Sequence, residues 1–255
     1  MRNDQLHRIP NDIKVAEAFF PSISKSWVAK NRYVKPELID TYVDTSELIR
    51  SFQTEGWEIN GGFEKRNKRN HKIEHFIKMT QPDYAFGRGK CKTEASIFIQ
   101  GNSSPFVNTQ VDVGATRLVC ANGLIRRNVE REHSFSPFQM QHISLYVEQL
   151  KDAANRTLEN FKAAQFVELE ASEIEHYAKT ARTFHPEKGR FGALDLLTVR
   201  RPEDEGNSKW NVYNRIQENL TKPNMLVDAN GRPINGLSLH QNVSVNNSLA
   251  HLFQL

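Results

Sequence analysis

Residues 57–80 read WEINGGFEKRNKRNHKIEHFIKMT. Two stretches in it, WEINGGFEKR and HKIEHFIKMT, carry alternating or β-rich residues, the pattern of strands with one face turned to a core. Between them runs KRNKRNHK, positions 65–72, in which Lys65, Arg66, Lys68, Arg69 and Lys72 are fixed positive charges. Strand, basic run, strand predicts a β-hairpin with the charges at its tip. A ribbon tip projects from the body of a domain, so its charges can reach a polyanion without deforming the sheet. The alternative is a solvated loop whose charge serves only solubility.

The totals sharpen the contrast. The chain has 255 residues, 34 Lys and Arg against 30 Asp and Glu, a formal net charge of +4 and a pI of about 9.0. Positions 61–72 hold those five cations and one carboxylate, Glu64, so the whole excess sits in twelve residues and the remainder is balanced. A concentrated patch is the electrostatic signature of a phosphate-binding surface.

Outward from the hairpin the chain organises itself. Upstream, Asp44 followed by Glu47 predicts a capping box, Leu48, Ile49 and Phe52 form an apolar stripe, and Gly56 supplies a left-handed stop, giving a helix at 45–55. Residues 1–40 show no clear period and are interrupted by Pro10, Pro21 and Pro36; they read as an irregular arm with one short helix at 12–19. Downstream, KTEASIFIQ (92–100) and TQVDVGATRLVCAN (109–122) predict a third and a fourth strand. Ser136 and Pro137 then open a long helix to about 166, on which Ile143, Val147, Leu150, Ala154, Leu158 and Phe161 recur at helical spacing. Ser172 and Glu175 predict a second capping box for a helix to about 183. After the loop 186–207, Trp210, Tyr213, Ile216 and Leu220 mark one side of a helix at 208–221, and a last helix is expected at 245–253. The expected fold is α+β: an antiparallel β-meander packed on a long helix, with a core over 41–185 and a smaller helical portion over 186–255.

Composition bounds the class. Apolar residues make up 38% and mean hydropathy is −0.62. Apolar runs are too short for a membrane-spanning helix, and MRNDQLHRIPNDIK lacks the apolar centre of a signal peptide. Cys91 and Cys120 are isolated, which fits a reduced, cytoplasmic chain.

Several catalytic patterns fail on inspection. HKIEH matches H-x-x-E-H formally through His71, Glu74 and His75, but that motif needs a helix, where residues four apart lie about 6 Å from each other. On a strand they lie roughly 13 Å apart and cannot share a metal. GRGK at 87–90 has Tyr84 where a phosphate loop needs glycine and Cys91 where it needs Ser or Thr; a turn is the better reading, with Lys90 as an additional phosphate contact. Cys120 reads as a buried thiol, and Glu168, Glu170, Glu173 and Glu175 as carboxylates favouring a helix start. No catalytic residue, metal or cofactor is expected.

Two further basic groups complement the hairpin. In RLVCANGLIRR (117–127), Arg117, Arg126 and Arg127 flank a strand and an Asn-Gly turn; Arg117 serves equally as an ion-pair partner. In TVRRPEDEGNSKW (198–210), Arg200 and Arg201 stand beside Glu203, Asp204 and Glu205, and neutralisation by these neighbours is slightly favoured. Trp57, Phe63, Phe76, Tyr84 and Phe86 lie near basic residues and could stack bases, though core packing is the simpler assignment.

RLVCANGL, LLTVRRPEDEGNSKWNVYNRIQENLTKP and the closing NVSVNNSLAHLFQL resemble a phage, plasmid and prophage protein family catalogued as domain of unknown function 932. The resemblance implies a mobile-element context in the bacterial cytosol and hands over no activity. A more distant similarity in shape is to phage single-strand annealing recombinases, which form rings or filaments around DNA held in a basic groove. The expectation is a non-enzymatic, single-stranded nucleic-acid-binding protein that forms homo-oligomers and contacts phosphate through Lys65–Lys72 and Arg126/Arg127. The alternatives are a module that binds a host or phage protein through the same hairpin, and an enzyme whose site is not visible in sequence.

Overall fold

Gly56 has a φ of +81°, the left-handed turn that ends the helix before it and sends the chain into the sheet at Trp57. The computed structural model describes residues 11–30, 42–66, 73–87, 92–102, 109–117, 123–126, 133–135, 142–222, 225–237 and 239–255. In chain order these form helices α1 (Ile13–Phe19), α2 (Lys25–Ala29) and α3 (Thr45–Thr54), strands β1 (Glu58–Arg66), β2 (Ile73–Phe86), β3 (Thr93–Asn102), β4 (Thr109–Arg117), β5 (Gly123–Arg126) and β6 (His133–Phe135), then helices α4 (Ile143–Ala163), α5 (Ala171–Arg182), α6 (Lys209–Thr221) and α7 (Leu239–Leu252). The fold is α+β, as expected. The strands follow one another in the sheet in the order β1-β2-β3-β4-β5, with β6 pairing β4 antiparallel.

The chain divides into two compact units, each discontinuous: Met1–Ala85, Glu94–Gly114 and Arg127–Asn155 in the first, Phe86–Thr93, Ala115–Arg126 and Arg156–Leu255 in the second. The boundary expected at 185/186 falls inside the second unit.

In the first unit β1 and β2 pair antiparallel from Glu58↔Thr80 to Arg66↔Ile73, with a bulge at Ile59/Gly61. Gly61 accommodates it with a φ of +149°, a region side chains avoid. His75 through Gln81 and Thr93 through Ile99 are buried continuously, so the middle of the sheet is covered on both faces. On one face Phe63 stacks on Phe76 at 5.4 Å and Phe76 meets Phe98 at 5.7 Å. On the other, His75 is held by the hydroxyls of Ser22 and Thr45, each 3.0 Å from a ring nitrogen. Asp44 caps α3 by accepting from the Ser46 N–H at 3.1 Å.

Over 11–30 the short helix expected at 12–19 is found as α1, and the residues after it are more ordered than an irregular arm. Asp12 caps α1, accepting from the Lys14 N–H at 2.7 Å. Pro21 does not break the chain but opens a 3-10 turn, and Ala16, Phe20, Ile23 and Val28 enter the core. The Ser22 N–H donates to Glu64 at 3.0 Å and Tyr42 donates its hydroxyl proton to the Ser22 carbonyl, so the segment is bonded into the sheet.

In the second unit α6 is the axis. Trp210 meets Phe161 at 5.2 Å and Phe86 at 5.6 Å; Tyr213 meets Phe253 at 5.3 Å, and Tyr177 stacks on Phe253 at 4.2 Å. The sequence predicts one buried side for this helix. Instead Asn214, Gln217, Glu218, Asn219 and Thr221 are buried as well.

Candidate functional site

The register of β1 and β2 makes 67–72 the connection between two antiparallel strands, since the last pair is Arg66↔Ile73. Lys65 is exposed and stands across from Glu74 on β2. Arg66 is the last residue of β1. Lys68, Arg69, Lys72 and Lys90 lie outside the described residues, as do Arg127 and Cys120. Arg117 ends β4 and Arg126 ends β5, neighbouring strands in the sheet; β1, which carries Lys65 and Arg66, pairs with β2 and not with these.

The H-x-x-E-H pattern is resolved by the strand. Glu74 is exposed and His75 is 1% exposed, so they face opposite sides of β2. Both His75 nitrogens are occupied by hydroxyls, and burial pulls its pKa down to about 3, which keeps the ring neutral. Among the described residues no group of three or more His, Cys, Asp or Glu could hold a metal ion. The aromatics near the hairpin are core: Trp57, Phe63 and Phe76 are buried, and Phe86 packs edge-on against Trp210.

Arg200 and Arg201 have partners that sequence reasoning did not name. Arg201 makes a two-pronged contact with Glu218, at 2.9 Å from Nε and 2.7 Å from a terminal nitrogen, and Lys222 meets the same carboxylate at 2.6 Å. Burial pushes the Glu218 carboxyl up, but the hydrogen bonds and charges of Arg201 and Lys222 outweigh it and hold its pKa at about 2. Arg200 donates to Asn219 Oδ1 at 2.9 Å and to the Met225 carbonyl at 2.7 Å. Asn219 in turn donates to the Leu196 and Thr198 carbonyls at 3.1 and 2.9 Å. The two-pronged partner of Arg201 is therefore Glu218 of α6, 17 residues further along the chain. The segment 200–208 runs back along α6: Arg201 sits at Glu218, the Gly206 carbonyl accepts from Arg215 at 2.8 Å, and the Glu205 carbonyl accepts from Asn211 at 2.5 Å. It delivers Arg201 to the C-terminal end of the helix, where the helix dipole favours a cation.

Glu218 and Asn219 are the residues the sequence reading missed. The available signal is the composition of the polar side of α6. Asn214, Gln217 and Asn219 are amides, where a solvated helix face carries lysines and glutamates.

Fold and site together define an α+β chain with an antiparallel meander, a connection basic in sequence and an amide-lined buried helix. The chain belongs to the family described as Domain of unknown function (DUF932), whose model matches residues 41–250. It is similar to UPF0380 protein YfjQ of Escherichia coli (strain K12), 28% identical over 199 residues, covering 71% of this chain and 68% of that protein. It is similar to UPF0380 protein YafZ of the same organism, 28% identical over 200 residues with the same coverage. No solved structure matches. No helix among the described residues is long and apolar enough to cross a membrane.

Proposed function

We propose that this chain is a non-enzymatic, single-stranded nucleic-acid-binding protein of phage or prophage origin, acting in the bacterial cytoplasm. Binding is backbone-led and sequence-tolerant, with annealing of complementary strands as its use in recombination or replication. The observation that carries this reading is the register of β1 and β2, which closes at Arg66↔Ile73 and so puts the run 67–72 in the connection of one hairpin. The sequence sets five cations, Lys65, Arg66, Lys68, Arg69 and Lys72, within the eight residues 65–72. Asn67 and Asn70 add hydrogen bonds to phosphate or sugar. Arg126 and Arg127 extend the contact, and Lys90 and Arg117 complete the set. Arg201 is left out, because its guanidinium is committed to Glu218.

The test is binding of a labelled single strand on the order of 40 nucleotides, long enough for several sites, across a salt series. Wild type is compared with a variant carrying Lys65→Ser, Arg66→Ser, Lys68→Ser and Arg69→Ser. Wild-type affinity falls linearly on a log–log plot, and the variant's slope is shallower by up to about 3, from four lost phosphate contacts on a single strand. Absence of wild-type binding at low salt sinks the reading.

A further inference from the structure

The last rungs of the β1–β2 ladder are Glu64↔His75, Lys65↔Glu74 and Arg66↔Ile73. Two carboxylates therefore stand beside the basic run, and the register sets them on opposite faces. Paired residues of an antiparallel ladder share a face, and successive residues alternate. Glu64 shares its face with His75. Its Oε2 accepts the Ser22 N–H at 3.0 Å, and the Ser22 hydroxyl meets His75 Nδ1 at 3.0 Å. That carboxylate is half-buried and bonded to the segment that packs on the sheet. Glu74 shares the other face with Lys65, and both are exposed. Residues directly opposite across a ladder have Cβ atoms about 5 Å apart, within reach of a carboxylate and an ammonium.

Lys65 is the first cation of the run 65–72. A phosphate that approaches it meets the Glu74 carboxylate on the same face. Attraction between Glu74 and Lys65 and repulsion between Glu74 and phosphate act in the same direction, and salt screens both.

We propose that Glu74 is a built-in competitor of phosphate at Lys65 and weakens backbone binding at the neck of the hairpin. This role rests on the nucleic-acid reading of the hairpin given above and adds a restraint to it. A protein that pairs complementary strands has to release backbone as well as hold it. One exposed carboxylate is a restraint small enough to be overcome at each contact.

Glu74→Gln tests it, with a labelled single strand on the order of 40 nucleotides and the same salt series. The change keeps the shape of the side chain and removes its charge. Glu74 is exposed, and circular dichroism verifies that the variant keeps its fold. Affinity rises about two- to fivefold at low salt, the size of an exposed ion pair. The log–log slope steepens by about 0.7, one more phosphate contact on a single strand. In a Lys65→Gln background the same change gives little gain, because the two residues act as a pair. Glu64→Gln, on the opposite face, gives less than Glu74→Gln. A wild type that does not bind at low salt overturns the nucleic-acid reading and this role with it. A wild type that binds, beside a Glu74→Gln chain unchanged in affinity and slope, overturns the role of Glu74 alone. An equal gain in the Lys65→Gln background or from Glu64→Gln does the same, since the carboxylate then acts on phosphate at a distance and not at Lys65.

Discussion

Glu218 shows how much one side chain can depend on neighbours far along the chain. Its carboxylate side chain is 3% exposed and shared by Arg201, 17 residues upstream, and Lys222, one turn downstream. Glu218→Gln keeps the shape and leaves two cations crowded without their counter-charge. The expected loss is about 3 kcal/mol of unfolding free energy, measured by urea titration. His75 makes a different prediction. Its folded pKa of about 3 lies below the ordinary histidine value of 6.5, so the unfolded chain takes up a proton that the folded chain refuses. The stability this contributes is complete above pH 6.5 and is lost as pH falls from there toward 3. Between pH 6.5 and 5.5 the loss is about 1 kcal/mol. Urea titrations at the two pH values read it, and His75→Asn flattens the difference. Sequence alone places His75 on a sheet face. Its partners, Ser22 and Thr45, lie 53 and 30 residues away and carry no local signal of the pairing.

Elements were more legible than their partners. The helix expected at 45–55, the strands on either side of the basic run, and the buried stripe Val147, Leu150, Ala154, Leu158 and Phe161 are all found, because hydrophobic period and capping chemistry are local. The start of α5 slipped by two. Ser172 and Glu175 were expected to cap it, whereas Glu173 takes the Glu170 N–H at 2.8 Å. The sequence EASEIE offers rival carboxylates at the same spacing, and the tie is broken by Leu169, buried and bonded to Asn207. The expected start of the long helix, at Ser136 and Pro137, falls outside the described residues. The last helix begins at Leu239 rather than 245. Its amide-rich first turns have weak helix propensity, and Asn246, bonded to Gln217 at 3.0 Å, ties it down from outside. Tight packing in the sheet has a consequence that can be tested at Gly101. A Cβ on Gly101 would lie 2.4 Å from His75 Nε2. Gly101→Ala should cost about 2 kcal/mol, roughly 6 °C in melting temperature. A Gly101→Ala/His75→Ala double variant should lose less than the sum of the two single changes, because the clash is gone.

At the scale of the molecule, charge was legible and its arrangement was not. The excess on 65–72 can be counted from the sequence. The fate of RRPEDE cannot, because adjacent residues are the simplest linear partners and the two-pronged partner of Arg201 lies 17 residues further along, at Glu218. The division into units was equally hidden, since strands that follow one another in the chain belong to different units. That interleaving bears on synthesis. The chain passes between the two units five times, and the second is completed by Arg156–Leu255. A ribosome emitting about 5–20 residues per second completes their unit about 8–32 s after Phe86–Thr93 and about 6–26 s after Ala115–Arg126. During that interval the nascent sheet carries unshielded strand ends. Holding them apart from other nascent chains is a task for a chaperone, set by the order in which this sequence is written.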